Sequence, residues 1–81
     1  IDIGLITSNV SALALSPKGD ILAVGLTNGI IRLFDTQNSI EVYSWDAHNG
    51  QIKSLEFSPN GRLLLSVGLI DQYAKLWGIL P

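Results

Sequence analysis

The motif Ser16-Pro17-Lys18-Gly19 returns 42 residues later as Ser58-Pro59-Asn60-Gly61, and its surroundings return with it. Val10 falls on Ile52 and Leu13 on Leu55 at the same spacing. Further along the spacing becomes 43, aligning Gly25 with Gly68, Asn28 with Asp71, Leu33 with Leu76 and Phe34 with Trp77. On that alignment one extra residue lies between Gly61 and Gly68. A repeat constrains a fold strongly, because each copy is a supersecondary unit that must bury its apolar face on the next.

Within a copy, short apolar runs are divided by turn chemistry, which is the pattern of antiparallel strands. Ser-Pro-x-Gly puts proline at the second position of a type I turn and glycine at the fourth. Asn28-Gly29, between Leu22–Leu26 and Ile30–Phe34, is a strong hairpin signal. Asp71-Gln72 holds the same place without a glycine, so the aspartate has to close that turn by accepting backbone N–H bonds. Leu13 and Leu15 alternate as strand residues do, as do Leu55 and Phe57. Val10 to Leu13 and Ile52 to Leu55 are instead three apart, which predicts a β-bulge early in each first strand. Ile21–Val24 and Leu63–Leu65 are unbroken apolar runs, suited to strands covered on both faces.

Ile40–Trp45 alternates and reads as a fourth strand, and Ile1–Ile6 reads as the last strand of a preceding unit. The expected organisation is that last strand (1–6), one full unit (10–45) and three strands of the next (52–77), with 1–81 part of one domain. Because a four-stranded propeller blade has a period of roughly 40–45 residues, the expected fold class is all-β. It consists of two four-stranded antiparallel blades of a β-propeller.

Composition narrows the function classes. At 47% hydrophobic and 15% charged, the chain has material for a core and little for disorder. Net charge is −2, and Lys18, Arg32, Lys53, Arg62 and Lys75 are dispersed, so no footprint for nucleic acid or an anionic membrane is evident. Without cysteine there are no disulfides and no thiolate zinc sites, which is compatible with an intracellular setting. No apolar run approaches the roughly 18 residues of a membrane span, and no signal peptide opens the chain. The chain also lacks methionine, so Ile1 does not read as a native start, and a fragment of a longer chain or a processed product is expected.

These residues resemble the WD-repeat (WD40-type) family of β-propellers. The resemblance is carried by Ser58–Gly61, by Asp71 six residues before Trp77, and by Ala47-His48 where the family usually has Gly-His. Leu33-Phe34-Asp35 stands where Leu-Trp-Asp is usual, and Leu76-Trp77-Gly78 keeps the tryptophan but not the aspartate. It covers nearly all of residues 6–78. The resemblance implies a buried network joining a loop histidine, a strand hydroxyl, a turn aspartate and a tryptophan. His48, Asp71 and Trp77 take three of those places; the fourth falls on Val67, with Ser66 one residue away. The first copy has Asn28 and Phe34 there, so it is expected to rely on packing and its Asn-Gly turn.

The resemblance further implies a rigid, non-enzymatic platform that binds proteins or peptides and needs no cofactor. Its partner-contacting positions fall on Asn9, Ser11 and Thr27 in the first copy and on Gln51, Lys53 and Ile70 in the second. Ile70 is apolar where a turn is ordinarily polar, so it either anchors a partner or packs on a neighbouring blade.

His48 with Asp71 could also be half of a catalytic or metal site. A single histidine, no cysteine and no nucleophile or phosphate-binding motif favour a structural lock. Trp45 and Trp77 read as packing groups. Asp2, Asp20, Asp35, Glu41 and Asp46 read as solvated charges. Two blades do not close a ring, since propellers have 4–8. The partners expected are therefore the remaining blades of a larger propeller as well as other proteins. The alternative is self-assembly, with Ile1–Leu5 of one copy pairing with Tyr73–Trp77 of another.

Overall fold

The computed structural model of the protein describes residues 9–79. They form seven strands: β1 (Val10–Leu15), β2 (Ile21–Leu26), β3 (Ile30–Asp35), β4 (Ile40–Asp46), β5 (Ile52–Phe57), β6 (Leu63–Gly68) and β7 (Ala74–Gly78). Two separate antiparallel sheets result, ordered β1-β2-β3-β4 and β5-β6-β7. The strands of Phe34 and Trp77 thus belong to different sheets. The strand expected over Ile1–Ile6 lies outside the described residues.

Local chemistry sets each meander. Gly19 N–H donates to the Ser16 carbonyl at 2.8 Å, and Gly61 N–H to that of Ser58 at 2.9 Å. Both glycines are left-handed, with φ of 75° and 74°, which turns the chain back on itself. The serine hydroxyls then accept the N–H of Ile21 and of Leu63, each at 3.0 Å, and so start the next strand. Thr27–Gly29 form a three-residue hairpin loop in which Gly29 N–H bonds the Leu26 carbonyl at 3.1 Å. Registers shift between Val10 and Ala12 and between Ile52 and Ser54, the bulges foreshadowed by the three-residue spacings.

One alignment from the sequence has to be corrected. The pair Leu13↔Val24 recurs as Leu55↔Ser66, and Val10↔Leu26 recurs as Ile52↔Gly68. Gly68 therefore corresponds to Leu26, and Gly25 to Val67. The extra residue sits in the β6–β7 turn, not between Gly61 and Gly68. Short of a bulge, an insertion in a strand sends every later side chain to the opposite face, whereas a turn absorbs it.

The two sheets stack with β5 against β1 and β2. Ala23, Ile31, Leu33, Ala47, Ile52 and Leu64 are the buried cluster between them, with Ala12, Ala14, Leu55, Phe57, Trp45 and Trp77 packed around it. Fully burying Ile52 or Leu64 is worth about 1.5–3 kcal/mol each. Gly25 lets the sheets approach: a Cβ there would lie 2.7 Å from Ile52 Cγ2.

Candidate functional site

The β4–β5 loop drops His48 between the sheets. Its side chain is fully buried and its Nδ1 lies 2.9 Å from Asp71 Oδ2. Nε2 lies 2.7 Å from Ser66 Oγ, which lies 2.8 Å from Trp77 Nε1. An indole N–H can only donate, so Ser66 accepts from Trp77. For a neutral imidazole, Ser66 then donates to Nε2 and leaves the proton on Nδ1, facing the carboxylate. Ser66, at 0% exposure, fills the fourth place that the sequence alignment had put on Val67. With the insertion moved to the turn, Ser66 points at His48 and Val67 points away.

Asp71 closes the β6–β7 turn as well as holding the histidine. Oδ1 accepts Tyr73 N–H at 3.0 Å and Oδ2 accepts Asn49 N–H at 3.1 Å. The Tyr73 N–H bond chiefly, then the His48 and Asn49 bonds, hold its carboxyl below the usual carboxylate range, against the opposing effect of desolvation. Gln72, beside it, takes a φ of 61° in place of the glycine of the first copy.

Sequence reasoning missed the part played by Gly68. A Cβ there would sit 2.0 Å from Asp71 Oδ1 and 2.7 Å from His48 Nδ1. The available signal was a glycine inside a strand, which marks a close approach.

Both histidine nitrogens are spent on protein groups and the ring is shut off from solvent. The arrangement fastens the loop to the second sheet and leaves no nitrogen to take a proton from a substrate. The two tryptophans finish the seam: Trp45 and Trp77 meet edge to face with centroids 5.2 Å apart. Trp45 Nε1 is buried with no hydrogen-bond partner among the described residues.

The six positions singled out for partner contact gather at one end of the stacked sheets. Thr27 N–H bonds the Asn9 carbonyl at 2.9 Å, and Leu69 N–H bonds the Gln51 carbonyl at 2.9 Å, tying each hairpin turn to the start of its own first strand. Ser11 is half-buried, with its hydroxyl on the Gly25 carbonyl at 3.3 Å, whereas Lys53 is exposed. Ile70 is 67% exposed and rests on Gly50, where a Cβ would lie 3.0 Å from its Cγ1. Leu69, 44% exposed beside it, was not singled out by the sequence reading. Its signal was an apolar pair in a turn.

Stacked antiparallel sheets with inner strands side by side, bulged first strands and a His-Ser-Asp-Trp seam define consecutive blades of a WD-repeat β-propeller. The chain belongs to the WD40 family: residues 5–60 match the family described as the anaphase-promoting complex subunit 4 WD40 domain. It is 36% identical over 70 residues to WD repeat-containing protein 91 of Danio rerio, covering 86% of this chain and 10% of that protein. It is 28% identical over 74 residues to pre-mRNA-processing factor 19 of Schizosaccharomyces pombe, covering 91% of this chain and 15% of that one. The chain thus spans a small part of the length of the curated relatives it matches.

Among solved structures, the β-propeller domain of Myceliophteria thermophila Cps50 (Swd1) superposes with a TM-score of 0.79 at 25% identity, over 88% of this chain and 22% of that one. The computationally designed Ika4 protein superposes at 0.81 with 24% identity, over 96% and 46%, a likeness of fold alone. WD-repeat propellers generally mediate protein interactions.

Proposed function

We propose that this segment serves a larger WD-repeat propeller as a rigid, non-enzymatic platform in an intracellular multiprotein assembly. It binds a protein or peptide at the end bearing Asn9, Thr27, Gln51, Lys53 and Ile70. The observation that carries the reading is Ile70. It is an apolar side chain left largely exposed, held in place by Gly50 below and by a turn locked through Asp71, with Lys53 on the adjoining strand. An exposed apolar side chain held rigid offers a partner an anchor, and a charge at its rim adds specificity. The family description, taken from a subunit of a complex, supports the assembly role.

The test selects peptide binders against the protein from a displayed library. Ile70→Asp should weaken the selected binders tenfold or more, which is about 1.4 kcal/mol. Ile40→Asp, an exposed position at the start of β4, should leave them unchanged. Binders indifferent to Ile70→Asp but sensitive to Ile40→Asp would place the surface elsewhere.

A further inference from the structure

The face of the first sheet that receives the second is carved from small residues. Ala12 pairs with Gly25 and Ala14 with Ala23 across β1 and β2. Into that hollow go Ile52 and Leu64, both fully buried, with Leu55 and Phe57 beside them. The second sheet has a corresponding outer face, turned away from the first. The same two cross-strand pairs there are Ser54 with Val67 and Glu56 with Leu65. Every one of the four positions is larger, and one carries a carboxylate.

The knobs that a second copy would bring to this face are Val10, Leu13 and Leu15, which are 42%, 59% and 58% exposed on the first sheet. Val10 holds the place of Ile52. Ile52 lies tight against Gly25 in the existing interface, where even one added carbon would lie 2.7 Å from Cγ2. Val67 at that point puts three extra carbons in the way of Val10. Leu65 adds bulk where Ala23 was, and Glu56 sets a carboxylate on the face that Leu13 and Leu15 would cover.

We propose that the free face of β5–β7 is keyed against further copies of this chain and accepts a sheet of different sequence. That sheet carries a side chain no larger than alanine opposite Val67 and a basic side chain over Glu56. Repeat proteins stack by nearest-neighbour interfaces, so a key at one interface sets which unit follows which. It also answers the self-assembly alternative: copies do not continue the stack with the geometry found inside the chain.

The inference does not rest on the partner surface at the loop end, and Ile70 is unaltered in every variant below, so the two fail separately. Light scattering on the 81-residue chain is compared with Val67→Gly/Leu65→Ala. Removing the key should raise head-to-tail association at least tenfold, and adding Glu56→Ala should raise it further. Equal association of the parent chain and the double variant, with strand circular dichroism retained, overturns the proposal. A fall in association on adding Glu56→Ala overturns the role given to the carboxylate. A second variant works inside the chain and needs no association: Gly25→Val/Ala23→Leu moves the key into the existing interface. Trp45 and Trp77 should then become wet and their emission should shift to the red. Unshifted emission would mean that the bulk is accommodated and the key does not exist.

Discussion

The two blades begin from one repeat and hold themselves by different means. Val24 of the first and Ser66 of the second occupy the same register position, and both are 0% exposed. Val24 is one more apolar group. Ser66 is the hinge of a four-membered polar chain that only makes sense because a histidine descends from the preceding loop. Arg32 and Lys75 are likewise equivalent, paired with Val24 and Ser66 respectively. On the free face of the first sheet, Arg32 pairs with Glu41 and lies over the Phe34 ring. Between the sheets, Lys75 gives its ammonium to the Ala47 carbonyl at 2.7 Å, beside the Tyr73 and Trp77 rings. The same position becomes a seam or a surface according to whether a neighbour stands against it. The polar chain stands where two sheets must be held in register, set beside the apolar cluster they bury.

Ser66→Val would make the second blade imitate the first and should have the largest effect. It strands His48 Nε2 and Trp77 Nε1, and a buried polar group left unpaired costs about 1–3 kcal/mol. The denaturation midpoint should fall accordingly, whereas Val24→Ala, with no polar partner involved, should fall by a cavity cost alone.

Asp71→Asn should act through pH. The carboxyl of Asp71 titrates below its unfolded value, so its contribution is complete above about pH 4 and is lost as pH falls through the lower folded value. The variant should lose stability at neutral pH and show a flatter acid limb in urea midpoints. Asp35 contributes to the same limb from the first blade, its carboxyl lowered chiefly by the Asn38 side-chain amide and then by the Gln37 N–H. An acid limb untouched by Asp71→Asn would move the pH sensitivity to that loop.

The smallest effect belongs to Glu41→Gln. The Arg32–Glu41 pair is solvent-accessible, 29% and 36% by side chain, and such pairs are worth about 0–1 kcal/mol. A midpoint change as large as that of Ser66→Val would contradict the division between sealed and free faces.

Much of this was legible in the residues. The serine-proline-glycine turns, the spacing of three before each bulge and the strand boundaries follow from local sterics and from the alternation of side chains. Local rules need only a few neighbours to act. Two things lay beyond them. Gly25 and Gly68 look alike in sequence, and matching them put the extra residue between Gly61 and Gly68 and the fourth network place on Val67, one residue from the candidate hydroxyl of Ser66. Gly25 in fact makes room for Ile52, and Gly68 makes room for Asp71 and His48.

The sequence by itself determined the repeat, the strands, the turns and three members of the seam. Only the tertiary structure decided which face each side chain took, and hence that Ser66 completes the seam, that Lys75 lies between the sheets and that Ile70 rests on Gly50. Facing depends on register, and register is settled by which sheet packs on which, a long-range fact that no window of neighbouring residues contains.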